Sequence, residues 1–120
     1  MDVPENIVDR TVDVAEKALR GLWVRQRAIA NNIANVDTPG HKVERFDFDR
    51  YMREALSESG PGSTSGYLSR MTSTSFRTDG NNVDIDGELV LLTENSLRYQ
   101  AVLSQLERKM ALLGSVIRDS

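Results

Sequence analysis

The sequence predicts an all-α, elongated protein in which long N- and C-terminal helices form an antiparallel coiled-coil hairpin around a small irregular middle segment. Three observations predict this. Apolar residues recur at alternating steps of four and three at both ends of the chain. The stretch between the ends is rich in Gly, Ser and Thr and carries two turn clusters. Aromatic residues make up only 6% of the 120 residues, thin for a globular core. The expected divisions are 1–36, the N-terminal coiled-coil helix; 37–84, an irregular segment with a short helix and a mobile loop; and 85–120, the C-terminal coiled-coil helix.

Residues 7–36 contain no Pro, and only Gly21 interrupts good helix formers. The seam runs Val8, Val12, Ala15, Leu19, Leu22, Gln26, Ile29, Ile33 and Val36, with Gln26 its single polar member. Thirty residues make a rod of about 45 Å. From Ile85 the same steps give Leu89, Leu92, Ser96, Tyr99, Leu103, Leu106, Met110, Leu113 and Ile117, with Ser96 the single polar member.

Between the helices, Asp37-Thr38-Pro39-Gly40 is a turn signal. Asp37 can bond its own backbone two residues on, Pro39 presets φ, and Gly40 accepts the positive φ of a type II turn. Asp47 reads as the N-cap of a short helix whose apolar face is Phe48, Tyr51, Met52, Ala55 and Leu56. Residues 57–66 lack any large apolar group and read as a mobile loop, and residues 67–76 read as extended. Asp79-Gly80-Asn81-Asn82 is a second turn, after which Asp84 or Asp86 can cap the last helix.

Direction and alignment of the two helices follow from charge and from the polar seam positions. Each helix begins acidic and ends basic, so antiparallel packing sets unlike ends together; exposed pairs of this kind select direction while adding only about 0–1 kcal/mol each. Placing Val36 opposite Ile85 pairs Ile33 with Leu89, Ile29 with Leu92, Leu22 with Tyr99 and Leu19 with Leu103, and it sets Gln26 opposite Ser96. A buried polar layer fixes alignment, because a slip leaves an amide facing hydrocarbon. Bulky residues remain off the seam: Trp23, Val24, Val90, Leu91, Leu97, Val102 and Leu112. Other chains are expected to cover them, which points to a subunit of an assembly.

Composition narrows the function classes. Fifteen Lys and Arg against 18 Asp and Glu leave a net charge of −3, without the basic field nucleic-acid binding needs. No apolar run is long enough for a membrane span, and the N-terminus has no apolar core of a cleavable signal. There is no cysteine, and the single histidine, His41, has no base–orienter pair beside it, so neither thiol nor triad chemistry is expected. No cofactor is expected. Asn82-Val83-Asp84-Ile85-Asp86-Gly87 resembles the first half of a calcium loop, but its twelfth position is Thr93, with Glu94 one residue late. A turn followed by an N-cap is the better reading.

The most specific stretch is Ala30-Asn31-Asn32-Ile33-Ala34-Asn35-Val36-Asp37-Thr38-Pro39-Gly40-His41-Lys42, where three Asn in five residues exceed what capping requires. It resembles the N-terminal signature of bacterial flagellar axial proteins of the rod and hook class. Arg77-Thr78-Asp79-Gly80-Asn81-Asn82-Val83-Asp84-Ile85-Asp86, followed by Glu94-Asn95-Ser96-Leu97-Arg98-Tyr99-Gln100, resembles the proximal-rod member of that class. The resemblance covers about two-thirds of the chain. His41 stands where an aromatic is usual, and Glu88-Leu89 where an acidic residue and methionine are usual. The resemblance implies a non-enzymatic structural subunit of the basal-body rod, passing torque through a helical assembly. It further implies export by the flagellar type III apparatus without a cleaved signal peptide. The implied partners are copies of itself, other rod proteins, the rod-to-membrane-ring adaptor and the export apparatus, in a periplasmic rod, with no nucleic acid. The candidate assembly residues are Trp23, Gln26, Asn31, Asn32, Asn35, Asp37, Thr38, Pro39, Gly40, Asn82, Asp84, Ser96 and Tyr99. The competing reading is a soluble coiled-coil adaptor or export chaperone that stays a small discrete oligomer.

Overall fold

Two helices dominate because the apolar residues of the chain's ends repeat on one face of each. The computed structural model describes residues 3–71 and 84–119. Helix α1 spans Val3–Ala34 and helix α3 spans Ile85–Asp119, and the two pack against each other. Between them lie strand β1 (Val43–Phe46), helix α2 (Phe48–Ala55), a 3₁₀ turn (Thr64–Tyr67) and strand β2 (Leu68–Met71). The molecule is elongated, 66 × 28 × 14 Å along its principal axes.

Contacts between α1 and α3 run in opposite sequence directions: Asn32 near the end of α1 reaches Glu88 near the start of α3, whereas Leu22 and Gln26 meet Asn95 and Ser96. From Val12 onward the seam of α1 stays covered, with Leu22 and Ile29 at 2% exposure. The α3 seam departs from expectation at both ends, for Ile85, Leu89 and Met110 are exposed while Glu88 and Asn95 are buried in their place. A strict heptad line drifts around an α-helix by about 20° per heptad, so a seam counted in sevens leaves the contacting face toward its ends. Near the start of α3, Arg45 of β1 also turns Glu88 inward.

Among the described residues the middle holds a small sheet beside the expected short helix, so the chain is not purely helical. β1 and β2 pair antiparallel, Val43 opposite Met71 and Phe46 opposite Leu68. The strands are only four residues long, and β1 buries its two ends, Val43 and Phe46, instead of alternate residues; this explains why no period of two stood out. Asp47 caps α2 as expected, its Oδ1 accepting from the Arg50 amide at 3.2 Å. Tyr51 and Ala55 on the expected apolar face are buried, whereas Leu56, at the C-cap, is 55% exposed. Within the segment expected to be a loop, residues 64–66 belong to the 3₁₀ turn. Of the segment expected to be extended, Leu68–Met71 is strand, and residues 72–76 lie outside the described residues.

A small aromatic core closes this middle. Phe46, Tyr51 and Tyr67 stack edge-on or tilted, with centroids 5.4–6.2 Å apart. Gly21 explains how α2 reaches α1: a Cβ there would sit 2.9 Å from Phe48 and Tyr51 ring atoms, so only glycine lets the rings lie on the helix backbone. Lys17 of α1 then donates to the Ala55 carbonyl at 3.1 Å, closing the last turn of α2. The Tyr67 hydroxyl donates to the Glu54 carboxylate and accepts from the Gly62 amide at 2.9 Å. The hydrogen bond to Glu54 raises the Tyr67 pKa above its ordinary value of 10.0.

Candidate assembly surface

The Asn-rich end of α1 gives each of its three amides a separate task. Asn32 is fully buried and pairs with β1 as a neighbouring strand would: its Nδ2 donates to the Glu44 carbonyl at 2.9 Å and its Oδ1 accepts from the Glu44 amide at 2.8 Å. The side chain thus satisfies backbone groups along β1 and ties the sheet to the helix. Asn31 donates to Glu44 Oε2 at 2.8 Å. Asn35 donates to the Asn31 carbonyl at 2.8 Å, closing the helix end, and accepts from the Thr38 hydroxyl at 3.1 Å.

Beyond Asn35 the chain turns as its residues dictate. The His41 amide donates to the Thr38 carbonyl at 3.2 Å across Pro39 and Gly40, and Gly40 has φ +75°, a type II turn. The expected Asp37 side-chain bond is not formed among the described residues, because the residue two positions on is Pro39, which has no amide hydrogen to donate; Thr38 makes the side-chain contact, donating to Asn35 Oδ1. All four residues of Asp37-Thr38-Pro39-Gly40 are exposed. Asp84 immediately precedes α3 and is exposed, and its carbonyl accepts from the Glu88 amide at 2.9 Å. Asn82 lies outside the described residues.

Two polar layers cross the helix pair. In the first, Gln26 donates to Ser96 Oγ at 2.9 Å, the pairing that the seam arithmetic set opposite each other. Asn95, fully buried, completes it by donating to Gln26 Oε1 at 2.7 Å and to the Leu22 carbonyl at 2.9 Å. The second joins three elements. Glu88, 2% exposed, receives both guanidinium nitrogens of Arg45, at 2.5 and 3.1 Å, and accepts from Asn32 at 3.2 Å. A buried carboxylate persists only with such a fork of charged donors. Tyr99, about three turns beyond Glu88 along α3, is half-buried.

Glu88, Arg45, Glu44 and Asn95 stand neither on the expected seams nor among the candidate assembly residues. For Glu88 and Asn95 a faint signal exists, since Glu88, Leu92, Asn95, Tyr99 and Leu106 keep helical spacing although an apolar seam passes over its polar members; Arg45 and Glu44, on β1, carry none. The remaining candidate, Trp23, is 51% exposed with the Arg27 guanidinium 4.9 Å from its ring centroid. Val90, Leu97 and Leu112 are also more than 60% exposed, while Val24, Leu91 and Val102 are half-buried. No helix among the described residues is long and apolar enough to cross a membrane.

This geometry offers packing faces, and comparison with known proteins agrees. Residues 13–42, from the middle of α1 through the turn, match the family model described as flagella basal body rod protein. The chain is 31% identical to the flagellar basal body rod protein FlgB of Bacillus subtilis (strain 168), covering 89% of this chain and 92% of that relative. It is 36% identical to FlgB of Borrelia hermsii over 78% of this chain and 85% of the relative. FlgB of Escherichia coli (strain K12) is 30% identical over 93% and 96%. With similarity of this extent on both sides of the alignment, the chain belongs to the FlgB family of flagellar basal body rod proteins, which are structural and not enzymes.

Proposed function

We propose that this structural subunit of the flagellar basal body rod works in the proximal rod, where it passes torque through a helical assembly by lateral and axial packing of its helices. In this reading α1 and α3 act as an antiparallel coiled-coil hairpin, residues 1–36 and 85–120, and residues 37–84 form an attached middle unit. The observation that carries it is the division of apolar surface. From Val12 onward the α1 seam is covered by the chain itself, while Trp23, Val90, Leu97 and Leu112 stand in solvent on a subunit 66 Å long. The Gln26–Asn95–Ser96 layer supports a fixed alignment of the two helices, which a shaft component needs if neighbours are to meet a constant surface. Trp23 and the exposed turn at Asp37, Thr38, Pro39 and Gly40, with Asn82, Asp84 and Tyr99, serve as assembly residues. Asn31, Asn32, Asn35, Gln26 and Ser96 hold the geometry behind them.

The partners are copies of this chain, other rod proteins and the adaptor to the membrane ring, in the periplasmic part of the basal body. The chain reaches them through the type III export apparatus, without cleavage of a signal peptide. Circular dichroism combined with light scattering on the purified chain tests the assembly reading. A rod subunit gains helix as it associates into growing particles. A chain that is fully helical at all concentrations and remains one small discrete oligomer is an adaptor or chaperone instead.

A further inference from the structure

We propose that a basic trough beside α1 receives an exposed ridge of α3 from a second copy of this chain, so that the contact joins two unlike surfaces. The proposal rests on the assembly reading above and names the surfaces that carry it. The trough runs between α1 and the β2 side of the middle unit, in two stretches that share Asn31 and Arg70. One stretch has an apolar lining of Trp23, Val24 and Leu68; the other passes His41 at the type II turn. Its cations are Arg27, Lys42 and Arg70. Among the described residues none of the three has a carboxylate partner, and Arg27 rests on the Trp23 ring. The acid in the trough, Glu44, is already engaged by Asn31. Apolar walls carrying unpaired cations fit an apolar surface edged with acids.

α3 presents such a surface. Asp86, Leu89, Val90, Thr93, Glu94 and Leu97 recur at helical spacing, and all are exposed. They lie away from Glu88 and Asn95, which are turned inward. Leu89, Val90 and Leu97 are 45%, 65% and 61% exposed, and with Thr93 and Glu94 they line one shallow apolar depression. Asp86 has no ion-pair partner among the described residues, and Glu94 pairs only with Arg98 on its own helix, at 2.8 Å. The ridge therefore brings carboxylates to a trough that lacks free ones. Ridge and trough have no residue in common. In the proposed contact each copy seats its ridge in one neighbour and receives the ridge of another, a heterologous arrangement that extends into a ring or a helical array.

The absence of cysteine allows a clean test. Ser65→Cys marks the trough and Thr93→Cys marks the ridge, both at exposed positions. Under mild oxidation a mixture of the two full-length single variants should give a cross-linked dimer. Each variant alone should give none above background, and the double variant should give a ladder. In sedimentation, Arg27→Glu with Arg70→Glu should weaken self-association at least about tenfold, and adding Asp86→Lys and Glu94→Lys in the same chain should restore it. Far-UV circular dichroism of each variant separates loss of contact from loss of fold. Dimers of Thr93→Cys alone, or undiminished association after charge reversal, overturn the ridge-and-trough contact while leaving the assembly reading intact. A wild-type chain that stays monomeric at every concentration overturns both.

Discussion

The middle unit and the helix pair solve the same burial problem in opposite ways. In the middle, Phe46, Tyr51, Ala55 and Tyr67 enclose one another within residues 46–67, and Gly21 admits their rings to the backbone of α1. The core is finished inside one chain. Along the helix pair, polar layers punctuate the seam, and large apolar residues remain on the outer faces. A self-contained core makes a unit that holds its shape alone, whereas an open apolar helix face leaves part of the burial to neighbours. The difference suits a subunit whose middle is a fixed body and whose helices are the joints.

Mutations break this contrast by different amounts. The largest effect is expected from Tyr51→Ala, which empties the centre of the aromatic cluster and should destabilise the chain by about 3–5 kcal/mol in urea unfolding. Gly21→Ala should follow at about 1–3 kcal/mol, because the added methyl must push Phe48 and Tyr51 off α1; the loss should show first as faster amide exchange in α2. Glu88→Gln should cost about 1–3 kcal/mol, kept in that range because Arg45 is partly exposed and can regain water once its partner is neutral. Unlike Gly21→Ala, it should loosen the contacts of β1 with both long helices together.

Two smaller effects sharpen the comparison. The Tyr51 hydroxyl is buried without a hydrogen-bond partner among the described residues, so Tyr51→Phe should be neutral or stabilising by up to about 1 kcal/mol; a clear loss of stability would show that the hydroxyl is used. The raised pKa of Tyr67 means that the folded middle favours the neutral phenol. Its contribution is complete below pH 10 and is lost as pH rises through the folded value, so alkaline unfolding should begin in the middle unit. Tyr67→Phe should flatten that alkaline limb, as read by the pH dependence of the urea midpoint.

Legibility in the sequence followed the range of the interactions. The two long helices, the type II turn at Pro39-Gly40 and the Asp47 cap rest on periods and local bonds a few residues long, and they were readable. The Gln26–Ser96 pairing was readable across 70 residues because each seam holds one apolar gap, and the gaps coincide when unlike ends meet. The sheet was hidden because four-residue strands burying Val43 and Phe46 show no alternation. The Glu88–Arg45 fork was hidden because a glutamate in a helix reads as solvated until a guanidinium 43 residues away is known to face it. Asn95 beside Ser96 was hidden for a similar reason: which of two adjacent polar residues turns inward depends on the rotation of α3 about its axis.

By itself, then, the sequence determined that both ends are helices with a preferred side, that they run against each other, and where the chain must turn. Those outcomes depend on steric limits at Pro and Gly and on the 3.6-residue repeat, which act within one element. Only the tertiary structure decided that Asn32 stands in for a strand beside β1, that Glu88 is buried, that Gly21 is a contact surface, and which hydrophobic residues remain outside. Each depends on the distance between atoms far apart in the chain, and a pattern of residue types carries no distances.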